Sequence, residues 1–69
     1  MSASEMGWKM RNIRKVLGVT RTELAQQCGV KKRTIKQIEH GRLIMSAELL
    51  ARVSMALGVS ADYLLGLSD

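Results

Sequence analysis

The sequence predicts an all-α domain, a compact bundle of five helices joined by short links, and three observations indicate it. The 69-residue chain has no proline and only one Trp and one Tyr, a composition that favours helices over a β-sandwich. Its apolar fraction of 46% suffices for one small core. Apolar residues recur at helical spacing between hydroxyl caps and terminating glycines. Residues 1–69 are therefore predicted to form a single domain.

The first two predicted helices each begin at a hydroxyl side chain. Ser2 or Ser4 can cap the first helix, and Gly18 stops it. Its inward arc on a helical wheel contains Met6, Met10, Ile13, Val16 and Leu17. Thr20 caps the second helix, and Glu23, three residues later, completes a capping box. The buried side of that helix is predicted to be Leu24, Ala25 and Cys28.

Each of the remaining three helices ends at a glycine, and the last two also begin at a hydroxyl side chain. The third is predicted from Lys31 to His40, with Gly41 closing it. The fourth begins after Ser46 and the fifth after Ser60, and each ends at a glycine. The inward residues of the fourth helix are predicted to be Leu49, Leu50, Val53, Ala56 and Leu57.

Positive charge is concentrated in one half of the chain. Residues 9–42 hold ten of the eleven Lys and Arg and two acidic residues, whereas residues 43–69 hold one cation and three acids. This asymmetry predicts a surface directed at a polyanion. A single cysteine, Cys28, indicates a reducing compartment. Cations interrupt residues 1–20, so we expect neither a signal peptide nor a membrane span, and we predict a cytoplasmic protein.

Residues 20–40 fit the requirements of a helix-turn-helix. The helix crossing needs a small residue, which Ala25 supplies, and the turn needs a positive φ, which Gly29 supplies. The inner faces must be apolar, and the positions that comply are Leu24, Cys28, Val30, Ile35 and Ile38. The third predicted helix is then the recognition helix.

The outward face of that third helix is cationic. Opposite the buried Ile35, a helical wheel places Lys32, Arg33, Lys36, Gln37 and His40. Arg and Lys suit the O6 and N7 atoms of guanine, and Gln suits N6 and N7 of adenine. We therefore predict DNA base contacts by Lys32, Arg33, Lys36 and Gln37.

The stretch "VTRTELAQQCGVKKRTIKQIEHG", followed by "LLARVSMALGVSADYLLG", resembles the Cro and phage-repressor (Xre-type) helix-turn-helix family, over about residues 13–65. The resemblance implies a lambda-repressor-like fold and base contacts at Lys32, Arg33 and Gln37. It implies phosphate contacts at Thr20, Lys31, Thr34 and Arg42. It also implies a structural ion pair that joins the first helix to the third, between Arg14 and Glu39.

Three positions depart from the family pattern. Arg21 replaces a Gln that touches phosphate and braces the recognition helix; Arg can hold phosphate bidentately, and the bracing bond is left open. His40 replaces an Asn, and we add both Arg21 and His40 to the predicted phosphate contacts. Met45 replaces a Pro, so the segment Leu43–Met45 is either an apolar dimer patch or part of the core, with equal weight.

No catalytic or metal-binding constellation is present in the sequence. There is no Ser or Cys paired with His and an acid, and no phosphate loop. One His and one Cys do not suffice for a zinc site, so we expect neither enzyme activity, nor a metal, nor a cofactor.

The predicted function is sequence-specific binding of double-stranded DNA by a prokaryotic or phage transcriptional regulator. We expect a repressor that acts as a homodimer on a near-palindromic operator. One alternative is an antitoxin that also binds a small partner protein. Another is the DNA-binding module of a longer signal-sensing regulator, with which the end "LLGLSD" is compatible. A purely structural protein would be indifferent to DNA. The sequence leaves open the operator and any regulating ligand.

Overall fold

Five α-helices follow one another along residues 2–67, the part of the chain that this computed structural model describes. They are α1 (Ala3–Val16), α2 (Arg21–Cys28), α3 (Lys32–Glu39), α4 (Ala47–Leu57) and α5 (Ala61–Leu65). No strand occurs between residues 2 and 67, and the all-α prediction is confirmed. The predicted limits of the domain, Met1 and Asp69, lie outside the described residues, as does Ser68 of the C-terminal segment.

Four of the five helices in the described chain begin where hydroxyl caps predict them. A side-chain oxygen accepts a hydrogen bond from the backbone N–H three residues later at Ser2, Thr20, Ser46 and Ser60. Glu23 completes the capping box, because its carboxylate accepts from the Thr20 backbone N–H at 3.0 Å. α3 is one residue shorter at each end than predicted, since Lys31 and His40 are its flanking cap residues.

The core lies where α3 meets α1 and α2, with α4 packed on α2 and α5 bridging α4 back to α1. Its buried members come from every helix and one loop: Met6, Met10, Leu24, Ala25, Cys28, Ile35, Ile38, Met45, Val53, Leu57 and Leu64. Burial raises the pKa of the Cys28 thiol, although the charge of Arg52 opposes this rise. Cys28 is therefore a neutral core side chain, as its position on the inner face of α2 predicted.

The inward arc predicted for α1 is wrong at its C-terminal end. Val16 is 82% exposed and Leu17 is 52% exposed. α1 ends at Val16, with Leu17 as its cap, and both side chains lie on the surface of the domain. At this end of the helix the buried position belongs to Arg14, whose charge is neutralised by an ion pair.

Gly7 allows α1 and α3 to approach each other closely. A Cβ atom on Gly7 would clash with the carbonyl oxygen of Ile38, near the C-terminal end of α3. Only a residue without a side chain fits this crossing, because the opposing atom belongs to the backbone. The close approach fixes where α3 sits on α1.

The apolar segment after α3 divides between core and surface. Met45 is 8% exposed and belongs to the core, so it fills space at the position where the family usually has Pro. Leu43 and Ile44 remain exposed, Ile44 by 72%. The core interpretation therefore holds for Met45, and a dimer patch at Leu43 and Ile44 stays a prediction.

Candidate nucleic-acid interface

The outward face of α3 forms one side of an open groove, which we call the recognition groove. The groove is lined by Lys32, Arg33, Lys36, Gln37, His40 and Arg42. All four predicted base contacts and two of the predicted phosphate contacts are thus brought together. Its five exposed side chains are cationic or imidazole groups, and Gln37 is half-buried between them. No carboxylate lines the groove, so its potential is positive.

Ile35 and Ile38 explain why this face of α3 points outward. Both side chains are fully buried against α1 and α2. The polar residues of α3 must then lie on the opposite side of the helix, because residues three and four apart share a face. Glu39 is the exception, since this acidic residue is buried with the isoleucines.

Glu39 is the acceptor for two arginines, and we call Arg14, Arg21 and Glu39 the Glu39 triad. The Arg14 Nε donates to Glu39 Oε2 at 2.7 Å, and its Nη2 donates to Oε1 at 3.0 Å. The Arg14 Nη1 donates to the carbonyl oxygen of Val19 at 2.8 Å. The predicted ion pair between α1 and α3 is therefore present, in bidentate geometry.

The second arginine of the triad, Arg21, makes a bond that braces the recognition helix, a point that the sequence left open. The Arg21 Nε donates to Glu39 Oε1 at 3.0 Å, which joins the first turn of α2 to the last turn of α3. Arg21 thus braces the recognition helix through a carboxylate. The sequence pairs Glu39 with Arg14 and assigns Arg21 to phosphate, so it does not predict that one carboxylate accepts from both arginines; the available signal is an Arg one residue after the Thr20 cap.

The triad keeps Glu39 ionised although its side chain is 0% exposed. Burial acts to raise the pKa of Glu39 and is the largest single influence on it. The hydrogen bonds from Arg14 and Arg21, together with the charges of both guanidinium groups, outweigh burial and hold the pKa below its ordinary value. The C-terminal end of α3 is therefore locked to α1 and α2 by a charged network.

A second cationic groove, the α1–α2 groove, adjoins the first. It is lined by Arg11, Arg14, Lys15, Gly18, Val19, Thr20, Arg21, Thr22 and Lys32. Two predicted phosphate contacts, Thr20 and Arg21, lie here, and Lys32 belongs to both grooves. Lys31 and Thr34, also predicted to contact phosphate, line neither groove. Arg11 and Lys15 were not predicted, although their spacing of four residues on α1 puts them on one face.

Residues 2–67 contain neither a metal-binding cluster nor a membrane-spanning helix. Between residues 2 and 67, no group of three or more His, Cys, Asp or Glu side chains could hold a metal ion. In the same stretch, none of the helices is long and apolar enough to cross a membrane.

Comparison with known proteins identifies the family. A family model described as helix-turn-helix matches residues 10–64, which is most of the chain. The chain belongs to the helix-turn-helix family. Its solved structural neighbours include phage repressors, so the Cro and phage-repressor type named by the resemblance is confirmed, and with it the lambda-repressor-like fold. Members of this family are DNA-binding transcriptional regulators and not enzymes.

Three relatives illustrate the similarity to this helix-turn-helix chain. An uncharacterised HTH-type transcriptional regulator of Methanothermobacter thermautotrophicus is 45% identical over 49 residues, covering 71% of each protein. The c2 repressor of P22, solved with a synthetic operator, is 36% identical with a TM-score of 0.83, covering 86% of this chain and 89% of that one. SinR, a master regulator for biofilm formation solved with DNA, is 34% identical with a TM-score of 0.82, covering 87% of this chain and 97% of that one.

Proposed function

We propose that this chain is a sequence-specific repressor that binds double-stranded DNA through the recognition groove. The observation that supports it is the grouping of Lys32, Arg33, Lys36 and Gln37 on the exposed face of α3, without an acidic neighbour in the groove. Guanidinium and ammonium groups match guanine, and an amide matches adenine, in the major groove. P22 c2 and SinR, which share the fold, are solved with DNA.

Base and phosphate contacts are assigned separately. Lys32, Arg33, Lys36 and Gln37 would contact base edges, since α3 would enter the major groove by its N-terminal half. The phosphate contacts would come from Thr20, Arg21, Lys31, Thr34, His40 and Arg42. Arg42 follows α3 and lines the recognition groove, so it would contact the DNA backbone beside the bases that α3 would contact. The Glu39 triad would hold α3 at the angle that base contact requires.

The active species would be a homodimer in the cytoplasm of a prokaryote or in a phage-infected cell. Two recognition helices related by a twofold axis would contact half-sites one helical turn apart, about 34–36 Å, in a near-palindromic operator. Occupation of that operator would block transcription without a cofactor. No observation on the described residues favours the antitoxin or the larger-module alternative.

The test uses an operator selected from random duplexes by the wild-type protein. Arg33→Ala and Gln37→Ala should each weaken binding to that operator by about 1–3 kcal/mol and relax the preference at one base pair. Arg42→Ala, the matched control at the rim, should weaken all sequences alike and leave the preference intact. Competition binding against every single-base substitution measures both quantities. If Arg33→Ala and Gln37→Ala weaken the affinity for operator and for random DNA equally, α3 does not contact bases.

A further inference from the structure

Three of the five cations that line the α1–α2 groove, Arg11, Lys15 and Lys32, form no ion pair within residues 2–67, whereas Arg14 and Arg21 pair with Glu39. Every ion pair among residues 2–67 uses Glu39 or Glu48, and none involves Arg11, Lys15 or Lys32. No carboxylate lines the groove. Lys15 is exposed, and Arg11 is half-buried but lines the open groove, so both side chains can reach an external anion. Like charges gathered in one groove repel one another unless an anion lies between them.

The position of this groove indicates which anion it would hold. Lys32 lines it together with the recognition groove, so the two grooves form one cationic band from α1 to Arg42. A duplex seated against α3 would therefore extend along the band. Arg11 and Lys15 are four residues apart, about 6 Å along the axis of α1. Two nucleotides of one DNA strand rise by a similar distance, about 7 Å.

We propose that Arg11 and Lys15 bind DNA backbone phosphates, which makes α1 a third DNA-contacting helix outside the helix-turn-helix. This inference rests on the proposed function. The contact is electrostatic and independent of sequence, because it lies on the backbone and not on base edges. It adds affinity and salt dependence to the complex and leaves base preference to α3.

The salt dependence of DNA affinity tests the proposal directly. Each cation that neutralises a phosphate contributes about 0.9 to the slope of log affinity against log salt concentration. In the double variant Arg11→Gln/Lys15→Gln, the magnitude of this slope should fall by about 0.9 for each replaced side chain on each bound protomer. Its preference across a single-base substitution panel and its melting temperature should equal those of the wild type. Ethylation of particular operator phosphates should block the wild type and no longer affect the double variant.

Lys9→Gln is the matched control, because it removes the same charge from the same helix on another face. The Lys9 Nζ lies 5.0 Å from the centre of the Tyr63 ring and donates to the Tyr63 carbonyl oxygen at 3.3 Å. Lys9→Gln should therefore keep the wild-type slope. If it lowers the slope as much as Lys15→Gln does, net charge explains the effect and the inference is overturned.

Two results separate this inference from the proposed function. If the wild type shows salt-dependent, sequence-specific binding and the double variant has the same slope and ethylation pattern, only the role of α1 is rejected. If the wild type shows neither sequence preference nor salt dependence, the proposed function fails and the inference fails with it. Because Lys15 is exposed, the single variant Lys15→Gln keeps the test valid should Arg11→Gln disturb folding.

Discussion

Glu39 is the residue at which the charges of three helices meet, and its replacement should unfold the domain. Glu39→Gln keeps the shape of the side chain but leaves Arg14, whose side chain is only 8% exposed, without a counter-charge. Stranding a buried ion in this way costs about 3–5 kcal/mol. A core in a chain of this size provides about 3–5 kcal/mol in total. Urea unfolding followed by circular dichroism should show a largely unfolded variant.

Glu48→Gln provides the control for that prediction. Glu48 pairs with Arg52 four residues later on α4, and the two side chains are 74% and 50% exposed. An exposed pair of this kind contributes about 0.3–0.5 kcal/mol. The midpoint of Glu48→Gln should therefore stay close to that of the wild type. Equal midpoints for the two Gln variants would contradict a stabilising role for the triad.

The pKa of Glu39 also makes the stability of the wild type depend on pH. Burial opposes ionisation, but the bonds and charges of Arg14 and Arg21 hold the folded-state pKa below 4.5, the ordinary value. The resulting stability is fully present above about pH 4.5 and is lost as the pH falls through the lower folded-state pKa. Glu23 acts in the same direction, since its bonds from Thr20 lower its pKa. Carboxyl-carbon NMR titration separates the two residues.

At the scale of helices, the close approach of α1 and α3 at Gly7 yields a further prediction. Gly7→Ala would gain about 1 kcal/mol of intrinsic helix preference. Its methyl group, however, would meet the Ile38 carbonyl oxygen, and overpacking costs about 1–3 kcal/mol. Because a backbone atom cannot rotate away, we expect α1 to be pushed from α3 and the melting temperature to fall.

Val16→Ala is the companion variant on the same helix. Val16 is 82% exposed at the end of α1, so its replacement removes no core contact and slightly improves helix preference. Its melting temperature should equal or exceed that of the wild type. A Gly7→Ala protein that melts at or above the wild-type temperature would show that the two helices separate without cost.

Local chemistry explains why the helices themselves were predictable. Caps such as Thr20 and terminators such as Gly29 act within a few residues, and the sequence shows both partners of each contact. Contacts between helices were not predictable in this way, because they depend on how the helices pack. A helical wheel shows which face of α1 is apolar, but not how far α3 covers it, so Val16 was wrongly placed inside. The closeness at Gly7 likewise depends on an atom of a distant helix.

At the scale of the whole molecule, the candidate site was predictable where one helix forms it. Lys32, Arg33 and Gln37 share a face because of helix periodicity alone, and the recognition groove contains all three. The α1–α2 groove was not predicted, since Arg11 and Arg21 come together only when α1 and α2 pack around α3. The roles of these residues on DNA remain predictions.

The proposed homodimer concerns the whole molecule, and substitution of Ile44 tests whether it forms. Ile44 is 72% exposed and lines an apolar pocket with Leu65 and Met6, away from both cationic grooves. A second copy covering this patch would bury these side chains. Ile44→Asp should therefore sediment as a monomer where the wild type is a dimer. Its affinity for the full operator should fall by about 10²–10⁴-fold, because the second half-site is no longer bound intramolecularly.

A duplex containing one half-site shows whether Ile44→Asp has lost only its partner. On that duplex the variant and the wild type should bind equally as single protomers, since the recognition groove is unchanged. Met55→Asp is the matched control, because Met55 is 84% exposed on α4 beside Gln27 and Arg52, apart from the Ile44 patch. It should remain dimeric. A dimeric Ile44→Asp would exclude the Ile44 patch as the dimer interface, and a Met55→Asp that dissociates would place the interface on α4.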